Sequence, residues 1–461
     1  MLTRKTANLT AEEIKDWRPD RLLADGLTPL ERARRRMEMS GQLAPWQAVG
    51  RRMAIGCVAL EVSQRCNLDC TYCYLSESSE ALRDIPIEEV FRRVDMIFAH
   101  YGAGTDIQVT GGDPTLRKGD ELLAIVRYIK SKGMRASLFT NGIKATRGLL
   151  EDLCEAGLED IAFHVDLTQE RKGYRTEAEL NAVRQAYIER ARGLPLSVFF
   201  NTTAYPGNIH EMPAVVRFFI DNCDVVRLCS FQIGADTGRG TERARVTVNS
   251  ETVIDATSQG CEAKLNFGAA SAGHSACNRY AYGLVCNGRV YDFFNDPAFV
   301  HEMLAATAHL QFDRADKRRA IEAMSDFLLR NPRLLAGFAS RAAKTAWRGR
   351  RDLFKARGKV GKLSFFVHNF MDACHLDRER AEACSFMVMT PQGPMSMCVH
   401  NAKRDDYLLV PAEVKTAHKV RFFNPATGKL EDEKPERITV SLTRKNARGR
   451  AREGLEARAR K

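Results

Sequence analysis

Between Val58 and Gln232 the apolar positions switch repeatedly between two spacings. Short runs rich in β-branched and aromatic residues predict strands at Val58 to Ser63, Ile107 to Thr110, Ala136 to Thr140, Ile161 to Asp166, Leu196 to Thr202 and Val225 to Phe231. Helical spacing fills the gaps, as in Ile87, Val90, Val94, Ile97 and Phe98, then Leu122, Leu123, Val126 and Ile129, then Met212, Val215, Val216 and Phe219. Six βα units in a row predict a parallel sheet with helices outside, either an open doubly wound sheet or a partial barrel. Glycine and polar residues fall where these strands end: Gly111-Gly112-Asp113-Pro114, Asn141-Gly142, His164 and Asp166, and Asn201. Parallel α/β folds bind ligands at those ends. At any single position ordinary loop chemistry is the competing reading.

Length and composition narrow the class. A chain of 461 residues can bury a core and hold more than one domain. No apolar run reaches the roughly 18 residues of a spanning helix, and MLTRKTANLTAEEIKDWRPD lacks a signal-type apolar stretch. A cytoplasmic protein is therefore expected, and its 13 cysteines read as free thiols or metal ligands, not a disulfide framework. The net charge of +12 is concentrated in two places. Gln311 to Lys362 carries fifteen Lys and Arg against five Asp and Glu, and Arg437 to Lys461 carries nine against two.

Directly after the first strand comes Cys66-Asn-Leu-Asp-Cys70-Thr-Tyr-Cys73. Three thiolates on one short loop can each take one iron of a cubane cluster and leave the fourth iron open. A structural zinc is the alternative, with Cys57 as the nearest fourth thiol. The pattern Cys-x3-Cys-x-aromatic-Cys, with Tyr72 as the aromatic, resembles the signature of the radical S-adenosylmethionine (SAM) enzymes. The resemblance covers residues 57 to about 234 and implies a partial (β/α)6 TIM-type barrel. It further implies a 4Fe-4S cluster on Cys66, Cys70 and Cys73, with SAM chelating the open iron. Gly111, Gly112, Asp113 and Pro114 look like the family's Gly-Gly-Glu-Pro stretch at the SAM amino group, with a shorter Asp113 in place of Glu. Asn141, Asp166 and Asn201 match strand-end positions that hold the ribose or carboxylate of SAM. No catalytic residue is assigned.

A second set of thiols lies further on. Cys277, Cys286, Cys384 and Cys398 could complete an auxiliary 4Fe-4S cluster, with Cys261 and Cys374 as spare candidates; buried free cysteines are the alternative. The stretch from Asn369-Phe370-Met371-Asp372 to Cys398-Val-His-Asn401 resembles the subgroup holding tetraether lipid synthase and 7,8-dihydro-6-hydroxymethylpterin dimethyltransferase-like proteins. The chain divides into an N-terminal helical segment (1–56), the barrel (57–234), the first part of the auxiliary cysteine region (235–297), a basic helical insertion (298–362), its second part (363–425), and a basic, disordered tail (426–461).

In the insertion, Arg341, Lys344, Arg348, Arg351 and Lys355 recur at steps of three or four and form a stripe on a helix. A basic amphipathic helix suits an anionic membrane surface. A solvated face is the competing reading, and the absence of RNP, zinc-finger and helix-turn-helix patterns argues against nucleic acid. The expected function is reductive cleavage of SAM to a 5′-deoxyadenosyl radical that functionalises or couples an unactivated carbon of a lipid-like substrate. It would use a flavodoxin- or ferredoxin-type reductant at the inner membrane face. The alternatives are methylation of a pterin-like small molecule and, in another class, a zinc or nucleic-acid-binding protein without catalysis.

Overall fold

The structure is a computed structural model that describes residues 8–44, 47, 53–241, 248–310, 317–415, 419–436 and 438–460. Parts of five expected segments therefore lie outside the described residues: 1–7, 45–46 and 48–52 of the N-terminal segment, 242–247 of the first part of the auxiliary region, 311–316 of the insertion, 416–418 of the second part of the auxiliary region, and 437 and 461 of the tail.

Strands β1 (Cys57–Ser63), β2 (Asp106–Gly111), β3 (Arg135–Thr140), β4 (Asp160–His164), β5 (Ser197–Ala204) and β6 (Val226–Ile233) alternate with helices α1 (Ile87–Tyr101), α2 (Gly119–Ser131), α3 (Arg147–Glu155), α4 (Asn181–Ala191) and α5 (Met212–Asp221). Each strand pairs in parallel with the next. The helices form because each has one apolar face to bury: Val90, Val94 and Ile97 on α1, and Leu122, Ile125, Val126 and Ile129 on α2. Phe98 shares the spacing but stays 40% exposed. All seven residues of β1 are buried, the mark of a parallel strand covered on both faces. Val58, Leu60 and Val62 pack with the helical layer, whereas Cys57 packs with Phe366 and Phe386 on the opposite face.

The sheet continues beyond these six strands. After β7 (Asn278–Cys286) and β8 (Arg289–Asp292), strand β9 (Gly361–Asn369) pairs in parallel with β6. Strand β10 (Phe386–Thr390) pairs in parallel with β1 and carries β11 (Gly393–Ser396) on its outer edge. The order is β11-β10-β1-β2-β3-β4-β5-β6-β9-β7-β8. The curl brings its distant members together: Phe366 of β9 and Phe386 of β10 have ring centroids 6.0 Å apart, and His368 lies 4.6 Å from Phe386. Among the described residues no ladder joins β9 to β10. The boundaries expected at 234 and 363 thus divide a single sheet.

Helices Pro297–Ala306, Lys317–Arg330, Pro332–Arg348 and Arg350–Lys355 lie between β8 and β9. Phe299, Phe327, Leu328 and Leu334 form a small core there. The tail departs from its compositional reading: it carries helix Gly449–Ala459, and Arg448 at its start is 3% exposed. Among the described residues no helix is long and apolar enough to cross a membrane.

A buried ion pair ties the late segment to the inner face of β1. Glu61 accepts from Arg404 at 2.5 Å and from Gln64 at 2.9 Å, and both members of the pair are buried. Burial alone would raise the Glu61 carboxyl; the Arg404 guanidinium instead holds it down at about 2. Its contribution to stability is complete above the ordinary carboxyl value of 4.5 and is lost as pH falls toward 2. Glu61→Gln is expected to cost about 3–5 kcal/mol at neutral pH by stranding the Arg404 charge and to flatten the profile between those values. Chemical denaturation from pH 7 to pH 3 measures both; a variant as stable as the parent at neutral pH refutes the assignment.

Candidate functional site

The Cys66–Cys73 loop leaves β1 at the carboxyl end of the sheet. Its shape is set by hydrogen bonds: Cys66 N–H donates to Glu80 Oε1 at 2.7 Å, Cys73 N–H to the Cys70 carbonyl at 3.1 Å, and Thr71 N–H to the Thr168 carbonyl at 2.9 Å. The three thiols are free and half-buried. Burial pushes the Cys66 thiol up to about 11 against the pull of Arg448. Burial also raises Cys70 well above a free thiol, reinforced by Cys73 and then Cys66. Three mutually repelling thiolates in a desolvated loop need a cation to ionise. The donor set fits a cubane, which gives each thiolate its own iron. Among the described residues no three His, Cys, Asp or Glu side chains are grouped to hold one metal ion. Cys57 is at the far end of β1, roughly 20 Å along a seven-residue strand from the loop, so it cannot complete a zinc site with the triplet.

Next to the loop, β2 ends against β1 with no room for side chains. A Cβ on Gly111, whose φ is +130°, would lie 2.0 Å from the Ser63 carbonyl oxygen, and one on Gly112 would lie 2.0 Å from that of Arg65. The Asp113 carboxylate is committed within the protein. It accepts from Thr115 N–H and Oγ1 at 3.0 and 2.5 Å, from Thr140 Oγ1 at 2.8 Å and from Asn141 N–H at 2.9 Å. It therefore ties β2 to β3, and Pro114 opens the short turn Pro114–Leu116. This side chain, expected at the amino group of SAM, is held by its own hydroxyl neighbours. Asn141 does reach the loop: its Nδ2 donates to Asn67 Oδ1 at 2.6 Å and lies 3.7 Å from Cys66 Sγ.

β4 and β5 end in the remaining polar residues. Asp166, expected to face SAM, has no exposed surface. It accepts from Thr168 N–H and Oγ1 at 2.9 and 2.5 Å and from Thr203 N–H at 2.8 Å, and it pairs with His164 Nε2 at 2.7 Å. Burial opposes ionisation, but His164 and these donors hold the carboxyl at about 2. His164, whose side chain is 32% exposed, presents the polar surface here. Its place two residues before Asp166, at the strand end, was the available signal. Asn201 pairs in register with His164. Tyr72 stands 5.5 Å from Tyr205, centroid to centroid, and its ring occupies the space that a side chain on Gly234 would need.

Three of the four late cysteines converge. Cys277, Cys384 and Cys398 line a narrow cleft, partly open to solvent, together with His274, His368 and Arg380. Arg380 Nε donates to Cys277 Sγ at 3.3 Å, and Met371 N–H to Cys398 Sγ at 3.5 Å. Burial, then neighbouring Cys384, pushes Cys398 up to about 12. Burial pushes His368 down to about 3, leaving it neutral. Cys286 does not join them: the nine residues of β7 separate it from Cys277 by roughly 30 Å. Cys261 is buried at the end of helix Ser250–Cys261, and Cys374 is exposed beside His375. The histidines of the cleft carried no spacing signal, since the fold brings them together.

The insertion's stripe is also divided. Arg341 pairs with Asp296 and covers the Phe299 ring at 3.8 Å, so it belongs to the insertion's core. Lys344, Arg348 and Arg351 remain exposed, as do Trp347 at 69% and Phe354 at 87%.

With this geometry in place, the comparisons are specific about the domain. Residues 60–219 match the family model described as Radical SAM superfamily; the chain carries a radical SAM domain, and that family uses a 4Fe-4S cluster and SAM. One relative is 7,8-dihydro-6-hydroxymethylpterin dimethyltransferase of Methanocaldococcus jannaschii, 29% identical over 199 residues, or 41% of this chain and 39% of the relative. Another is Fe-coproporphyrin III synthase of Methanosarcina barkeri, 27% identical over 201 residues, or 42% and 48%. The chain thus spans less than half the length of these relatives. Streptococcus suis SuiB bound to S-adenosylmethionine aligns with a TM-score of 0.31 at 15% identity over 47% of each chain.

The glycine pair gives a direct test. Gly112→Ala is expected to cost about 1–3 kcal/mol through forced backbone displacement. Gly119→Ala, where a Cβ meets nothing within 4 Å, should not destabilise. Thermal denaturation of the pair decides; equal stabilities would contradict the close approach.

Proposed function

We propose that this chain is a radical SAM enzyme that functionalises or couples an unactivated carbon of a hydrophobic, lipid-like substrate. The observation that carries the chemistry is the three-thiol loop on the carboxyl end of β1, beside a glycine pair packed so closely on the neighbouring backbone that no side chain fits. When bound, the cluster and SAM supply a one-electron cleavage of a carbon–sulfur bond that yields a 5′-deoxyadenosyl radical. The residues of the chain hold and exclude. Cys66, Cys70 and Cys73 ligate; the Gly111 and Gly112 backbone receives the amino-acid end of SAM. Asn141, next to Cys66, and Asn201 and His164, at adjoining strand ends, offer polar contacts to the rest. Asp166 orients His164 through the 2.7 Å bond. The aromatic pair Tyr72 and Tyr205 keeps water from this end of the sheet. The single electron calls for a flavodoxin- or ferredoxin-type partner.

Cys277, Cys384 and Cys398 form the second ligand set, for an auxiliary cluster whose fourth position falls to His274, His368 or a non-protein group. The relatives' names span a pterin and a coproporphyrin, so the substrate class is argued from the insertion. Exposed Trp347 and Phe354 flanked by Lys344, Arg348 and Arg351 suit the boundary of an anionic bilayer. A second reading, methylation of a pterin-like molecule, is favoured by the likeness to the dimethyltransferase. Product analysis with methyl-labelled SAM separates the two: label in the product supports methylation, and joined carbons without label support coupling.

Replacing Cys66, Cys70 or Cys73 by Ala should abolish SAM cleavage by anaerobically reconstituted, dithionite-reduced protein while circular dichroism stays near that of the parent. Cleavage retained by any of the three overturns its assignment. Combining Lys344→Glu, Arg348→Glu, Arg351→Glu and Trp347→Ala should weaken sedimentation with anionic vesicles by tenfold or more, at about 1 kcal/mol per cation. Unchanged binding would leave the helix as a solvated face.

A further inference from the structure

The loop bearing the cysteine triplet is held from outside by a segment nearly four hundred positions later. Arg448 clasps the Cys66 peptide together with Glu80. Its Nη1 donates to the Cys66 carbonyl at 3.1 Å and to Glu80 Oε1 at 2.5 Å, and the same carboxylate oxygen accepts from Cys66 N–H at 2.7 Å. Its Nη2 donates to the Leu68 carbonyl. The neighbouring acid is held as well: Asp69 accepts from Gly449 N–H at 3.3 Å and pairs with Arg452 at 2.8 Å. Gly449 is in the left-handed region with φ +52°, and a Cβ there would lie 2.1 Å from the Arg239 carbonyl oxygen. Arg450 fastens the far side, its N–H to the Arg239 carbonyl at 3.0 Å and its Nη2 to Asp236 Oδ2 at 2.8 Å.

We propose that Arg448–Arg452 is a strap that fixes the shape of the cluster loop, and that Arg448 is a positioning residue whose buried cation also raises the reduction potential of the cluster. The inference rests on the reading of the triplet as a 4Fe-4S site. Two physical effects carry it. A planar guanidinium forks to two carbonyls and a carboxylate at once, which an ammonium cannot reproduce. A positive charge 3% exposed is poorly screened, so it favours the extra negative charge of the reduced cluster. Charge, hydrogen bonding and exposure set the potentials of such clusters.

The test uses the full chain with Arg448→Gln, Arg448→Lys and Arg452→Gln. Without iron, amide hydrogen exchange over residues 66–73 should be protected in the parent and markedly faster in R448Q. After anaerobic reconstitution, R448Q should release iron to a chelator roughly ten- to a hundred-fold faster, and its midpoint in an EPR-monitored titration should move to more negative potential. R448K keeps the charge and loses the fork: its midpoint should stay near that of the parent while its exchange resembles R448Q. Parental exchange and midpoint in R448Q overturn the proposal. Should R448Q fail to fold, R452Q, altered at a more exposed position, should show a smaller increase in exchange over the same amides, and no increase overturns the strap. A parent that assembles no iron–sulfur cluster sinks the reading beneath it and the claim about potential, while the exchange experiment still decides the strap.

Discussion

A parallel sheet ends in two rows of unpaired peptide groups, and this fold depends on how those edges are covered. Both covers come from beyond residue 360: β9 lies against β6 and β10 against β1. The chain between them, residues 370–385, must cross from one edge to the other. The contacts of Phe366 and His368 with Phe386 show that the curl has brought those edges within side-chain reach. Cys384 lies on that crossing, Cys398 is in the first turn of the helix after β11, and Cys277 directly precedes β7, the antiparallel neighbour of β9. The second thiol group is thus a product of edge closure and belongs to the same body as the first.

The two thiol groups are joined by a chain of polar contacts. Tyr74, next to Cys73, donates to the Gly111 carbonyl at 3.2 Å and lies beneath the Arg404 guanidinium at 4.7 Å. Arg404 reaches Glu61 on β1 and Asn401, three residues beyond Cys398. The Asn401 carbonyl in turn accepts from Arg239 at 2.5 Å, on the loop held by Arg450. Buried charge is costly unless every member has a partner, so the network has little freedom to rearrange. That rigidity would suit the radical chemistry proposed above, in which the reacting groups must be held in place and solvent kept out.

What could be read from the sequence was what depends on neighbours along the chain. The six strands follow from short runs rich in β-branched and aromatic residues, and their ends agree to within a few residues; β4 stops at His164 because Asp166 turns inward to accept Thr168 and Thr203. The triplet and glycine pair are short-range features and were visible for that reason. Three things were decided across space instead. Cys286 ends the strand that Cys277 directly precedes, so spacing that looked like ligand pairing became the length of β7. Asp113 found Thr140 on the next strand. Arg341 was taken from the basic stripe by Asp296, forty-five residues earlier.

The two basic segments show why net charge cannot be read segment by segment. Composition treats the insertion and the tail alike, as Arg-rich stretches with few acids of their own. In the fold, Arg448, Arg450 and Arg452 meet Asp69, Glu80 and Asp236, acids supplied by the sheet's own loops, and ordering follows because each charge is neutralised where it is buried. The insertion loses Arg341 to Asp296 but keeps Lys344, Arg348, Arg350, Arg351 and Lys355 on its surface beside Trp347 and Phe354. Three of the tail's nine cations are therefore committed to holding a loop, while Arg444, Lys445, Arg458 and Arg460 stay exposed and add to the field of the insertion. A basic run becomes a surface feature only where the rest of the chain has placed no acids opposite it.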